Sequence, residues 1–137
     1  MIEPTRALQA TIQAALVASP AVAALVPADR IHAGSTRPDE LPCIRISDGD
    51  CVMFDHAPGN QFAASVALDL HIWTMAGGMD EAKTIGAAVA RVLMDWPHTD
   101  DFIICKFKHV STVWPRDPKS DFGHGVLSVE AVIQWRL

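Results

Sequence analysis

Few cysteines, no run of basic side chains and no long apolar stretch mark this sequence, and each shortage closes off a class of protein. Cys43, Cys51 and Cys105 are odd in number and form no CxxC pair, which argues against a disulfide framework or a zinc knuckle. Lying in or beside apolar strand-like runs, they read as reduced, partly buried thiols. The 11 Lys and Arg are outnumbered by 16 Asp and Glu, for a net charge of −5. Nowhere do they cluster to neutralise several adjacent phosphates, so sequence-specific DNA binding is not expected. No apolar segment approaches the ~20 residues that span a bilayer, and no basic N-terminal region leads an apolar core to a cleavage site. A protein made in the cytoplasm and kept off the membrane is the expectation.

Catalytic signatures are equally scarce. The acidic pairs Asp48 with Asp50 and Asp100 with Asp101 flank strand-like runs, where turns call for solvated residues, and read as turn formers rather than as acid–base pairs. The six histidines, His32, His56, His71, His98, His109 and His124, form neither HxH nor HExxH, and no cysteine lies at zinc-finger distance from another. There is no GxSxG elbow, GxGxxG loop or Walker lysine; the glycines cluster as Gly77-Gly78 and as Gly123-His124-Gly125. No catalytic residue, cofactor or metal is therefore expected, and these glycines read as turns and strand entries.

What is present is a periodic pattern over 137 residues, a length that buries a core as one domain, 1–137. Leu8, Ile12 and Leu16, helped by Ala15, share one stripe between Pro4 and Ser19 and predict a helix, ended by Ser19-Pro20; Ala21 to Val26 adds a short helical turn. Ile31 to Ala33 reads as a short edge strand, Leu41 to Ser47 as a half-buried strand, and Cys51 to Asp55 as a further strand or its extension. Phe62, Ala64, Val66, Leu68, Leu70 and Ile72 then alternate with Ser65, Asp69, His71 and Trp73 in the clearest strand of the chain. The turn Ala76-Gly77-Gly78 leads into a helix from Met79 to Asp95 that turns Ala82, Ile85, Val89, Val92 and Leu93 to the sheet. Asp80 and Glu81 at its start and Arg91 near its end match the helix dipole, and Trp96-Pro97 stops it.

Phe102 to Trp114 holds a strand in which Ile103, Cys105 and Phe107 oppose Lys106 and Lys108, with a bulge near His109. Gly125 to Leu137 closes the sheet with Leu127, Val129, Ala131, Ile133 and Trp135 inward. The fold class is thus α+β: a mostly antiparallel sheet of four to five strands, two main helices on one face, and the other face free or covered by a partner.

Three stretches carry a family resemblance: Leu41-Pro42-Cys43-Ile44-Arg45-Ile46, Leu70-His71-Ile72-Trp73 through Gly78 into Glu81-Ala82-Lys83, and Arg116-Asp117-Pro118 leading to His124-Gly125-Val126-Leu127. In order and spacing the chain resembles the tail-completion or tail-terminator proteins of long-tailed phages with non-contractile tails and of gene transfer agents. It departs at Cys43, where an aromatic residue is more usual, and in the less glycine-rich Lys119 to Phe122.

The resemblance implies a structural virion protein, not an enzyme. Its copies would form a hexameric ring that ends the tail tube and joins it to the head neck, with the tail tube protein, a neck stopper or adaptor protein and other copies of itself as partners. DNA would pass through the channel without specific binding. Made in the cytoplasm of the bacterial host, the protein would end at the head–tail junction. Asp48 to Asn60 and Trp114 to His124 are the loops expected to order on assembly. His71, Trp73, Trp114, Arg116, Asp117, Phe122 and His124 are candidate interface residues; for Trp114 a core position is an equal alternative, and for Arg116 and Asp117 a local ion pair holding a turn. Asp48, Asp50 and Asp55 are candidates for the channel wall. A head-side neck adaptor of similar size, or a small enzyme or ligand-binding domain, are the competing readings.

Overall fold

The computed structural model describes residues 2–34, 40–54, 61–116 and 121–136. Helix α1, Pro4–Ala18, begins where Pro4 sits in the first turn and the Glu3 carboxylate accepts from the amides of Thr5 and Arg6, satisfying donors that the helix leaves open. The Thr5 hydroxyl adds a third bond to Glu3 and, as the largest influence, holds its carboxyl below the usual range. Leu8, Ile12 and Leu16 are fully buried, each contributing about 1.5–3 kcal/mol relative to exposure. Gln9 and Gln13, off the apolar stripe, fix the helix to the sheet: Gln9 Nε2 donates to the carbonyls of Ile46 and Ser47, and Gln13 Nε2 to that of Ile31. A short α2, Pro20–Ala23, follows, capped by the Ser19 hydroxyl.

The strands are β1 (Ile31–Ala33), β2 (Cys43–Ile46), β3 (Asp50–Met53), β4 (Gln61–Ala76), β5 (Ile103–Val113) and β6 (Phe122–Arg136), with α3, Met79–Met94, between β4 and β5. They form one sheet in the order β1-β2-β4-β6-β5, and β3 pairs with β4 on the same side as β2. This is the α+β class read from the sequence, with six strands rather than four to five, and with β1 parallel to β2 while every other pairing is antiparallel. The extra strand arises because the Leu41–Ser47 and Cys51–Asp55 runs pair with different halves of the 16-residue β4.

Ala64, Val66, Leu68, Leu70 and Ile72 of β4, and Leu127, Val129, Ala131, Ile133 and Trp135 of β6, point to the side covered by α1 and α3. Ala82, Ile85, Val89 and Leu93 of α3 close that core, with Val92 at its margin. Trp96 ends the helix at φ 36, in the left-handed position usual for glycine.

Strand β5 departs from the expected pattern. Ile103 and Cys105 were expected on the side of Phe107, but Ile103 is 64% exposed and Cys105 is exposed as well. A register shift between Ile104 and Lys106 bulges Cys105 out and turns Ile104 towards the core, because the extra residue of a bulge inverts the alternation beyond it. The second shift, between His109 and Ser111, is the bulge expected near His109. The cysteines therefore differ: Cys43 is buried, Cys51 half-buried and Cys105 exposed.

Within the two expected loops, Asp50 to Met53 is strand and β6 starts at Phe122 rather than Gly125, while 55–60 and 117–120 lie outside the described residues.

Candidate assembly surface

The sheet face away from the helices holds the densest group of expected interface residues. Alternation along β4 sends His71 and Trp73 to this face, and the β4–β6 register places His124 directly across from Trp73. The three rings stack: Trp73 and His124 lie 3.6 Å apart at 5°, and His71 and His124 lie 5.3 Å apart at 16°. His71 Nδ1 and His124 Nε2 are 3.1 Å apart, so one imidazole donates and the other accepts. The Nε1 of Trp73 is buried and has no hydrogen-bond partner among the described residues. On β2, Arg45 sits across from His71 and donates to the Ala33 carbonyl.

Burial, reinforced by the neighbouring His71, pushes His124 down to about 4 from an ordinary value of 6.5, and burial also lowers His71, with Asp69 partly opposing it. Both rings thus hold protons less tightly folded than unfolded, and the unfolded chain binds more protons between those two pH values. Their contribution to stability is complete above the ordinary histidine value and is lost as the pH falls towards that of folded His124. We expect the thermal midpoint to drop between about pH 7 and about pH 4.5, and His124→Gln to make that drop shallower. Equal slopes for the two proteins in a calorimetric pH series would exclude the pair as the cause.

Further along the same face, Asp69 Oδ1 accepts from the Ser128 hydroxyl at 2.7 Å, and the Asp69 amide donates to Ser47 Oγ. These groups line a shallow cleft of about 280 Å³ with Asp50 and Glu130 at its rim. Ser128 bonds the carboxylate directly with no histidine between them, so no activated nucleophile is assembled there. Among the described residues no three His, Cys, Asp or Glu are grouped to hold a metal ion.

The other expected residues lie apart. Trp114 packs on the helix side, against the core and over Gly86 of α3 and Gly125 of β6, with Lys83 Nζ 5.9 Å from its ring. Phe122 is half-buried at the start of β6, across from Ala76. Arg116 is exposed beyond β5, and Asp117 and Asp55 lie outside the described residues, which leaves the expected Arg116–Asp117 ion pair there too. Asp48 and Asp50 are exposed at the corner where β2 gives way to β3.

Residues 10–134 match the family model described as tail completion protein gp17. The chain belongs to this family. Among the solved structures that share the fold of this tail completion protein are two similar over most of both chains. A chain of the virion of a native gene transfer agent particle superposes with a TM-score of 0.76 at 21% identity, covering 93% of this chain and 94% of that one. The gp17 protein of bacteriophage SPP1 does so with a TM-score of 0.58 at 21% identity, covering 93% and 89%. No curated protein matches the sequence. No helix among the described residues is long and apolar enough to cross a membrane.

In this tail completion domain, the sequence pattern placed His71 and Trp73 on the open face. It gave no sign that His124 completes their stack, because that depends on the register between β4 and β6. The pattern also missed Gly86 and Gly125 beneath Trp114, which come together only when α3 packs on β6.

Proposed function

We propose that this chain is a structural protein, without catalytic activity, that completes a phage or gene transfer agent tail. Copies assemble as a hexameric ring on the end of the tail tube and join it to the neck of the head. Membership of the tail completion family over residues 10–134 carries this reading. The geometry is consistent with it: a sheet backed by helices offers an open face and, among the described residues, edge strands without a further neighbour. The stacked His71, Trp73 and His124, half-buried on that face, suit contact with the tail tube protein or the neck stopper, since flat aromatic surface is what such interfaces favour. A subunit of net charge −5 would present repelling charge to DNA passing through the channel. The protein is made in the host cytoplasm and ends at the head–tail junction.

Deletion of this chain alone, followed by electron microscopy of the particles, tests the proposal. The expected picture is filled heads beside detached tails of abnormal length. Detached tails of normal length would replace the terminator by a head-side adaptor, and intact infectious or transducing particles would remove the chain from assembly altogether.

A further inference from the structure

The exposed apolar side chains are unevenly placed. Of the ten large apolar residues exposed among those described, six lie on two outer strands and the residue that follows one of them: Val52, Met53 and Phe54 at β3, and Ile103, Val110 and Val113 on β5. These strands stand on opposite sides of the β4–β6 pair, three strand spacings or about 14 Å apart. Their charges are opposite as well. Asp48 and Asp50 stand at the start of one, Lys106 and Lys108 sit on the other, and all four are exposed. Neither lysine joins an ion pair among the described residues, although Lys108 lies across from Glu130.

Register sharpens the match. Reading straight across the sheet, one row runs Asp50, Ala67, Glu130, Lys108, and the next runs Val52, Ser65, Val132, Lys106. A third row starts at Phe54, whose amide donates to the Ala63 carbonyl, and passes through Gln134 to Ile103. Each row thus opens on the β3 side with an acid or an apolar residue and closes on the β5 side with a lysine or an apolar residue. The first and third rows are self-complementary end to end: Lys108 answers Asp50, and Ile103 answers Phe54.

Exposed edges invite indiscriminate pairing, and β5 carries two devices that discourage it, bulges and lysines. A partner able to use this edge must tolerate the bulges and answer the lysines with acids. The β3 edge of a second copy supplies those acids together with exposed apolar side chains. Such a contact joins two different surfaces and is therefore head to tail, the kind that closes into a ring when the rotation permits. Rotation about a ring axis keeps strands that run along that axis in the same sense. Because β5 runs antiparallel to β3 within one chain, the meeting edges would then also be antiparallel.

We propose that the β5 edge of one copy docks on the β3 edge of the next, Lys108 against Asp50 and Ile103 against Phe54, so that the sheets continue around the ring. This rests on the ring proposed above and assigns its subunit contact. It moves Asp48 and Asp50 from the channel wall to the interface, and it leaves the His71–Trp73–His124 face free for the tube or the neck.

A charge-swap experiment on the full chain tests it, read by native mass spectrometry and light scattering. Lys106→Glu with Lys108→Glu makes both edges acidic, and Asp48→Lys with Asp50→Lys makes both basic. Alone, each variant is expected to need at least about tenfold more protein for half-assembly, since like charges now meet at the contact. Mixed in equal amounts, they are expected to recover wild-type assembly as rings of alternating copies. Rings formed by each variant at wild-type concentration, or a mixture no better than its parts, would overturn the edge contact and leave the ring reading standing. Should the variants assemble normally but alter DNA retention in particles, Asp48 and Asp50 return to the channel. A wild-type chain that remains monomeric both alone and on isolated tail tubes would overturn both readings.

Discussion

Gly49→Ala is expected to destabilise the isolated chain by about 2–5 kcal/mol, the sum of a left-handed backbone cost and an overpacking cost. Gly49 has φ 68, and a methyl group there would stand 2.3 Å from Leu68 Cδ2 and 2.4 Å from the carbonyl oxygen of Ala67. Leu68 is core and Ala67 is backbone of the central strand, so neither can withdraw without disturbing β4. For a domain of this size the loss corresponds to a thermal midpoint lower by about 10 °C. Gly77→Ala separates the two costs. Its φ is 74, but the nearest atom to an added methyl is 4.0 Å away, so it carries the backbone cost of about 1–2 kcal/mol alone. Equal losses in urea unfolding would show that the close approach to β4 contributes nothing. Gly49 is also the corner that lets β2 and β3 share one side of β4, and through it Asp48 and Asp50 reach the sheet edge.

That corner illustrates where the sequence is legible and where it is not. The alternation from Phe62 to Ile72, the stripe of α3 and the inward set of β6 all emerged as read, because each long element has one wet and one dry face and its period follows from burial. Asp48-Gly49-Asp50 read only as punctuation. That the runs on either side pair with different halves of the same long strand is a matter of non-local register, which no local pattern encodes. Strand β5 failed for another reason. As an edge strand it is exposed on much of both faces, so the burial constraint that fixes alternation is weak, and the bulge at Cys105 passed unmarked. Gln9 and Gln13 lie off the apolar stripe of α1, and no local pattern showed that their side chains would donate to the carbonyls of Ile46, Ser47 and Ile31.

The candidate assembly surface divides along the same line. His71 and Trp73 were placed by alternation, and family resemblance added His124, but the stacking of the three required the β4–β6 pairing. The acids of β3 and the lysines of β5 were visible as charges and were not recognisable as the two ends of one row, since rows exist only once the strand order is known.

Trp114 is the residue for which the sequence offered a core and an interface role with equal weight, and its surroundings make the choice measurable. The indole lies over two glycines: a methyl on Gly125 would come within 2.5 Å of Trp114 Cζ3, and one on Gly86 within 2.7 Å of its Cη2. Space for the ring has thus been cleared on both β6 and α3, which places Trp114 in the packing between sheet and helix rather than on a surface awaiting a partner. Trp114→Ala is therefore expected to cost about 3 kcal/mol in the isolated chain, at the low end for aromatic-to-alanine changes because the ring is only half-buried. The measurement is urea unfolding of the free chain, where no partner contributes. An unchanged midpoint would make the ring an anchor for another subunit. A lowered midpoint, with ring assembly retained well below the melting temperature, is the result expected of a residue that fastens β5, and with it the Lys106 and Lys108 edge, to the rest of the fold.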